Sequence, residues 1–234
     1  MANNEYLDEL VIDGLDETYA ANADIEDIES ARVFLVDFII DRTGSMEKYE
    51  RTMQECLEHY KQAICNSKQA DEMLVSKTLF DDEIETGGYV KPEDFNTDYK
   101  VRGCTRLYDA IIERRQRMLD YMEQLDDNGT NVRGAMVILS DGFDNMSNYR
   151  ASDARNAVKD LESKEITVAF IAFGQEAFSI ADSIGVKSKN VMKVTNNESE
   201  LRKVMTLVSK SAISASKKAS TGAGEDSDDG FFDV

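Results

Sequence analysis

The run Val33-Phe34-Leu35-Val36-Asp37-Phe38-Ile39-Ile40 is apolar at every position but one, so it does not read as a strand with one face in water. A run this short, and this rich in β-branched and aromatic side chains, is a strand buried on both sides, which requires helices above and below it. Similar runs recur at 73–80, 132–140, 166–173 and 191–194, with helical patterns between them at 46–66, 105–125, 151–163, 177–184 and 198–213. The alternation predicts an α/β fold, doubly wound, with a mostly parallel central sheet and helices on both faces. At 234 residues and 41% hydrophobic content the chain is long enough to bury one sizeable core. Asp37 interrupts the first run; a charge there costs several kcal/mol unless it is paired, and the sequence does not name the partner.

The first strand ends in Asp41-Arg42-Thr43-Gly44-Ser45, a carboxylate followed within four positions by two hydroxyls, just before a helical pattern. In a parallel sheet of this class, ligands sit beyond the carboxyl ends of the strands. Two further segments bear on that rim. Arg102-Gly103-Cys104-Thr105-Arg106-Leu107-Tyr108-Asp109-Ala110-Ile111 places a hydroxyl in a Gly-containing loop at the start of a helix, and Ala135-Met136-Val137-Ile138-Leu139-Ser140-Asp141-Gly142 ends a second buried strand in a carboxylate. Asp41, Thr43, Ser45, Thr105 and Asp141 together offer five oxygen side chains and no soft ligand, a set that suits magnesium or manganese (Mg2+ or Mn2+) rather than zinc.

At these residues the chain resembles the von Willebrand factor A (vWA) family and its metal-ion-dependent adhesion site, whose pattern is Asp-x-Ser-x-Ser, a distal Thr and a distal Asp. The likeness covers about residues 32–213. Thr43 stands where Ser is usual and keeps the hydroxyl; Cys104 stands where a smaller residue is more ordinary. The resemblance implies that Thr43 and Ser45 hold the ion through their hydroxyls, that Asp41 and Asp141 balance its charge directly or through water, and that Thr105 enters or leaves the ion's shell. It further implies a protein partner whose acidic side chain completes the ion's coordination, and no catalysis. Arg42, Arg106, Phe143 and Asn145, in the surrounding loops, are expected to set specificity for that partner. Stand-alone domains of this sort in bacteria and their phages resemble adaptors in multiprotein assemblies.

Two other readings compete. Haloacid-dehalogenase-like phosphatases also open with a strand ending in an Asp, and Asp141-Gly142-Phe143-Asp144 imitates their later magnesium carboxylates. Such enzymes usually carry a second Asp two positions after the first, as general acid; here that position is Thr43, which cannot serve so at neutral pH. In the other reading the domain is a scaffold whose ion is only structural, since fold alone does not assign function. His59 is the only histidine, which excludes a histidine-rich metal site.

The formal net charge of −19 is unevenly placed. Residues 1–31 form an acidic arm with no Lys or Arg, in which Leu7, Leu10, Val11 and Leu15 recur at helical spacing. Such an arm is either a solvated segment, or one that packs its stripe on the domain, or the source of a carboxylate that caps its own or a neighbour's metal site. No clustered basic face is apparent, so direct binding of nucleic acid is not expected. No segment approaches the apolar length of a membrane span, and the acidic start is unlike a signal peptide, so a cytoplasmic location is expected. The odd count of three cysteines argues against a disulfide framework. Residues 214–234 read as a flexible linker with an acidic tip; its ending, Phe231-Phe232-Asp233-Val234, resembles the tails by which bacterial single-strand DNA-binding proteins recruit partners, which raises a second partner beside plain disorder.

Overall fold

The computed structural model describes residues 17–19, 21–28, 30–69, 72–142, 144–195, 197–221 and 230–234. Seven strands form one sheet: β1 (Glu17–Tyr19), β2 (Arg32–Asp41), β3 (Met73–Phe80), β4 (Ile84–Thr86), β5 (Asn131–Ser140), β6 (Ile166–Phe173) and β7 (Val191–Val194), in spatial order β1-β4-β3-β2-β5-β6-β7. All neighbouring pairs are parallel except β3 with β4. β2 lies at the centre and is buried at every position from Val33 to Asp41, as its unbroken apolar run requires.

Five α-helices sheathe the sheet: α1 (Glu50–Cys65), α2 (Leu107–Asp127), α3 (Ala151–Ser163), α4 (Gln175–Ser183) and α5 (Glu198–Thr221). Two apolar layers result. The even-numbered β2 side chains Phe34, Val36, Phe38 and Ile40 pack with α1 and α5, and the odd-numbered Val33, Leu35 and Ile39 with α2, α3 and α4. Phe38 meets the Tyr60 ring edge-on at 4.8 Å between centroids, an arrangement worth about 1 kcal/mol beyond the buried area.

The buried stripe of α2 runs Leu107, Ala110, Ile111, Arg114, Met118, Tyr121 and Leu125, a helical period with a cation in its middle. Arg114 is there for Asp37. Its Nε donates to Asp37 Oδ2, to which the Tyr89 hydroxyl also donates at 2.8 Å, and the guanidinium lies over the Tyr89 ring.

Several expectations are corrected. The segment 46–66 is not helical throughout: Gly44–Tyr49 is a 3-10 turn, and α1 begins only at Glu50. β4 was not foreseen, because three residues carry too little pattern to stand out. Part of the N-terminal arm packs on the domain: β1 extends the sheet edge, Ala23 N donates to Tyr89 O at 2.6 Å, and the Tyr121 hydroxyl donates to Ala23 O. The helical pattern built on Leu7, Leu10, Val11 and Leu15 lies outside the described residues. At the other end, α5 continues past residue 213 to Thr221, through Ala- and Lys-containing sequence of good helix propensity. The tip is packed as well: Phe231 and Phe232 are each only 8% exposed. Among the described residues no helix is long and apolar enough to cross a membrane.

Candidate metal centre

β2 and β5 are adjacent parallel strands whose chains leave for opposite faces, β2 toward α1 and β5 toward α3. That divergence opens a crevice at their carboxyl ends. Register places Ile40 beside Leu139, so Asp41 and Ser140 come level and Asp141 follows on the same rim.

Asp41 anchors the arrangement. Its side chain is fully buried; Oδ1 accepts from Thr43 N at 3.0 Å and Thr43 Oγ1 at 2.7 Å, and Oδ2 accepts from Ser140 Oγ at 2.7 Å. Burial pushes its carboxyl up to about 6, against the pull of those donors. Thr43 Oγ1 lies 3.0 Å from Ser45 Oγ, so three of the expected ligands form one hydrogen-bonded chain running from the buried Asp41 to the exposed Ser45. Ser45 and the half-buried Asp141 line one cavity of about 370 Å³, together with Met46, Lys48, Tyr49, Phe173, Gly174, Gln175 and Glu176.

The Asp141-Gly142 pair has a geometric reason. Gly142 has φ +90°, and a Cβ there would stand 2.4 Å from Ala177 Cα, so the chain can turn off β5 against α4 only as glycine. Gly103, at φ +66°, likewise brings the Thr105 loop against Asp82.

Thr105 is buried just before α2 and is held by the loop that follows Asp141. Its N donates to Asn145 Oδ1 at 3.1 Å, while Asn145 N and Met146 N donate to its carbonyl. The clamp continues along α2. Tyr108 N donates to Asp144 Oδ2, Asp109 N to Ser147 Oγ, and Asp109 accepts from Asn148 N and Tyr149 N at 3.1 and 3.0 Å.

Of the four side chains expected to face a partner, the three that are described do not lie simply free in solvent. Arg42 is 5% exposed and turned inward, ion-paired with Asp81 at 2.9 Å and Glu85 at 2.6 Å, which commits it to the fold. Arg106 is partly exposed and paired with Asp109, Asn145 is exposed but holds Thr105, and Phe143 lies outside the described residues. A cap on the centre from the arm falls largely outside them too.

Sequence reasoning missed Ser140, whose position one residue before Asp141 was the available signal. It also missed Tyr99, whose hydroxyl donates to Asp41 O at 2.6 Å, and Asp81, a fully buried carboxylate that receives Arg42 and Arg102 from the two flanking loops. Nothing in the local sequence marks either.

The donor set fits a hard divalent cation: oxygen only, two carboxylates and three hydroxyls, one carboxylate desolvated and short of compensating positive charge. Among the described residues no cluster of three or more His, Cys, Asp or Glu is placed to hold a metal.

No family model matches the chain, and no curated protein does. Solved structures match it over most of its length. The pilus adhesin SpaC from Lactobacillus rhamnosus GG superposes with a TM-score of 0.63 at 10% identity over 85% of this chain; the chain spans only 31% of that adhesin. The SpRpn10 VWA domain superposes with a TM-score of 0.54 at 13% identity, covering 75% of this chain and 94% of that domain. The vWF domain of the type V pili tip protein Mfa5 from Porphyromonas gingivalis gives 0.53 at 10% identity, over 84% and 99%. The fold is like that of von Willebrand factor A domains. At such identities the likeness establishes the vWA architecture alone. Within that architecture the carboxyl rim of β2 and β5 is where Asp41, Thr43, Ser45 and Asp141 gather.

Proposed function

We propose that the chain is a protein-interaction domain that recognises a carboxylate of its partner through a divalent ion, magnesium or manganese, held by Asp41, Thr43, Ser45, Thr105 and Asp141. The observation that carries this reading is the hydrogen-bonded chain Asp41–Thr43–Ser45 opening onto a cavity with Asp141 on its wall. When bound, the ion supplies a strictly directional Lewis-acid position for an anionic oxygen. The protein's own residues do the rest. Ser140 and Tyr99 fix the buried Asp41, the Asn145 loop holds Thr105, and the neighbouring cavity is large enough for a side chain that arrives with the carboxylate. Adhesins and a VWA domain among the structural neighbours agree with a binding role.

The phosphatase alternative gains no observation, because Thr43 donates to Asp41 and is no acid. A cytoplasmic site of action and a bacterial or phage origin belong to the same proposal. The test is capture from host lysate with the native chain in magnesium, the native chain in EDTA, and Asp41→Ala in magnesium, each shown to be folded by circular dichroism. A partner retained only in the first supports the metal-dependent reading. Partners common to all three place the interface elsewhere and reduce the ion to a structural role, and metal-dependent phosphate-ester hydrolysis lost in Asp41→Ala would move the chain to the enzyme class.

A further inference from the structure

The last residues do not behave as a solubilising end. Gly230 to Val234 form a tight turn: Asp233 N donates to Gly230 O, Gly230 N donates to Asp233 Oδ2 at 2.7 Å, and Val234 N donates to Phe232 O. The turn leaves Asp233 and Val234 exposed and directs the two Phe rings, edge to face at 5.1 Å, into the apolar cluster on the α1 and α5 side of the sheet. A side-chain hydrogen bond joins the turn to the domain. Phe231 N donates to Oδ1 of Asn190, itself only 4% exposed, at 2.7 Å. The fit is close: a Cβ on Gly230 would lie 3.1 Å from Lys189 O.

Charge points the same way. From residue 187 to 218 there are eight Lys and Arg (Lys187, Lys189, Lys193, Arg202, Lys203, Lys210, Lys217, Lys218) against Glu198 and Glu200, a basic stretch in a chain of net charge −19. Residues 225–233 carry five carboxylates and no cation.

We propose that the seat around Asn190 is a peptide-recognition site for acidic peptides bearing two adjacent aromatic residues, and that the chain's own residues 230–234 are its resident ligand, held reversibly. The two rings and the Asn190 hydrogen bond form a small contact, weak between separate molecules because association must also offset lost freedom of motion. Because residues 230–234 belong to the same chain, the contact is intramolecular, at a roughly millimolar effective concentration, which keeps the seat filled until a competitor of the same chemistry displaces them. Displacement would release the Phe-Phe tip and open the seat together.

The test uses the full-length chain with Phe231→Ser and Phe232→Ser, which vacates the seat, and a labelled peptide of residues 224–234. Saturable binding is expected to this variant, roughly tenfold weaker to the native chain because its own end competes. Binding should weaken with added salt, and be lost with Asn190→Ala or with a peptide lacking both Phe. A folded variant that fails to bind, or that binds a scrambled peptide equally, overturns the proposal. Should the variant not fold, amide exchange on the native chain decides. A protected Phe231 amide that becomes exposed when peptide is added in excess supports reversible occupancy; an unprotected amide, or one that excess peptide leaves protected, overturns it. Light scattering that shows a native dimer dissolved by the peptide would mean that the ends are exchanged between copies, and would overturn resident occupancy.

Discussion

At the scale of single residues, Asp37 and Asp41 are two buried aspartates of the same strand, and they differ in how they are compensated. Asp37 has a full cationic partner in Arg114, so the charge inside the β2 run has its answer seventy-seven positions away on α2. Asp41 has only neutral donors, and its carboxyl is raised to about 6 by burial. An unfolded chain ionises such a group near pH 4. The native state therefore keeps a proton that the unfolded chain has released, and the stability contributed here is full below about pH 4 and lost as pH rises through about 6. At neutral pH the ion-free protein carries that cost. Asp41→Asn is accordingly expected to raise the stability of the chelated protein by about 1–2 kcal/mol at pH 7, to flatten the slope between pH 4 and 6, and to abolish divalent binding. Urea denaturation in EDTA across that range checks it, and a lower stability for Asn would mean that the ionised carboxylate is not penalised. The candidate ligands were legible because each follows an apolar run or opens a helix. Ser140, Tyr99 and Asp81 were not, because what makes them matter is proximity in space between loops far apart in sequence.

At the scale of elements, legibility followed length and periodicity. The bounds of β3, β6, β7 and α3 coincide with the apolar runs and helical pattern that predict them. β4 and β1, three residues each, stabilise the sheet edge through backbone pairing that leaves little side-chain pattern. α5 outran its predicted end because residues 214–221 carry no large apolar side chain, yet Ser216 is buried and the Ala and Lys there favour the helix. The site's own elements are joined by the Asp109 and Asp144 clamp, which ties the start of α2 to the loop after β5 and makes Thr105 and Asn145 move together. Asp109→Ala removes the acceptor for Asn148 N, Tyr149 N and the Arg106 guanidinium. Each lost acceptor at these partly buried bonds costs about 1–2 kcal/mol locally, so amide exchange at residues 145–149 should accelerate roughly ten- to thirtyfold while the β2 and β5 amides stay protected. Exchange unchanged at 145–149 would show the loop held by other means.

At the scale of the whole molecule, the net charge of −19 makes any cation stabilising, and a specific site has to be told apart from that background. Monovalent salt screens repulsion between exposed carboxylates and raises the unfolding temperature gradually, whichever residue stands at position 41. A bound divalent ion acts differently. It stabilises the native state by mass action, about 2.7 kcal/mol at a concentration one hundred times its dissociation constant, which for a chain of this size is a rise of roughly 5–10 °C. The native chain should therefore show a saturable upward shift with magnesium or manganese on top of a sodium chloride background. Asp41→Ala and Asp141→Ala should show only the salt response, since each removes one of the two carboxylates that answer the ion's charge. If magnesium shifts all three proteins equally at matched ionic strength, the cation is a counterion to the acidic surface and the β2–β5 rim is not where it binds. A saturable shift confined to the native chain would place the ion at Asp41 and Asp141, and would give the affinity needed to choose magnesium concentrations for partner capture.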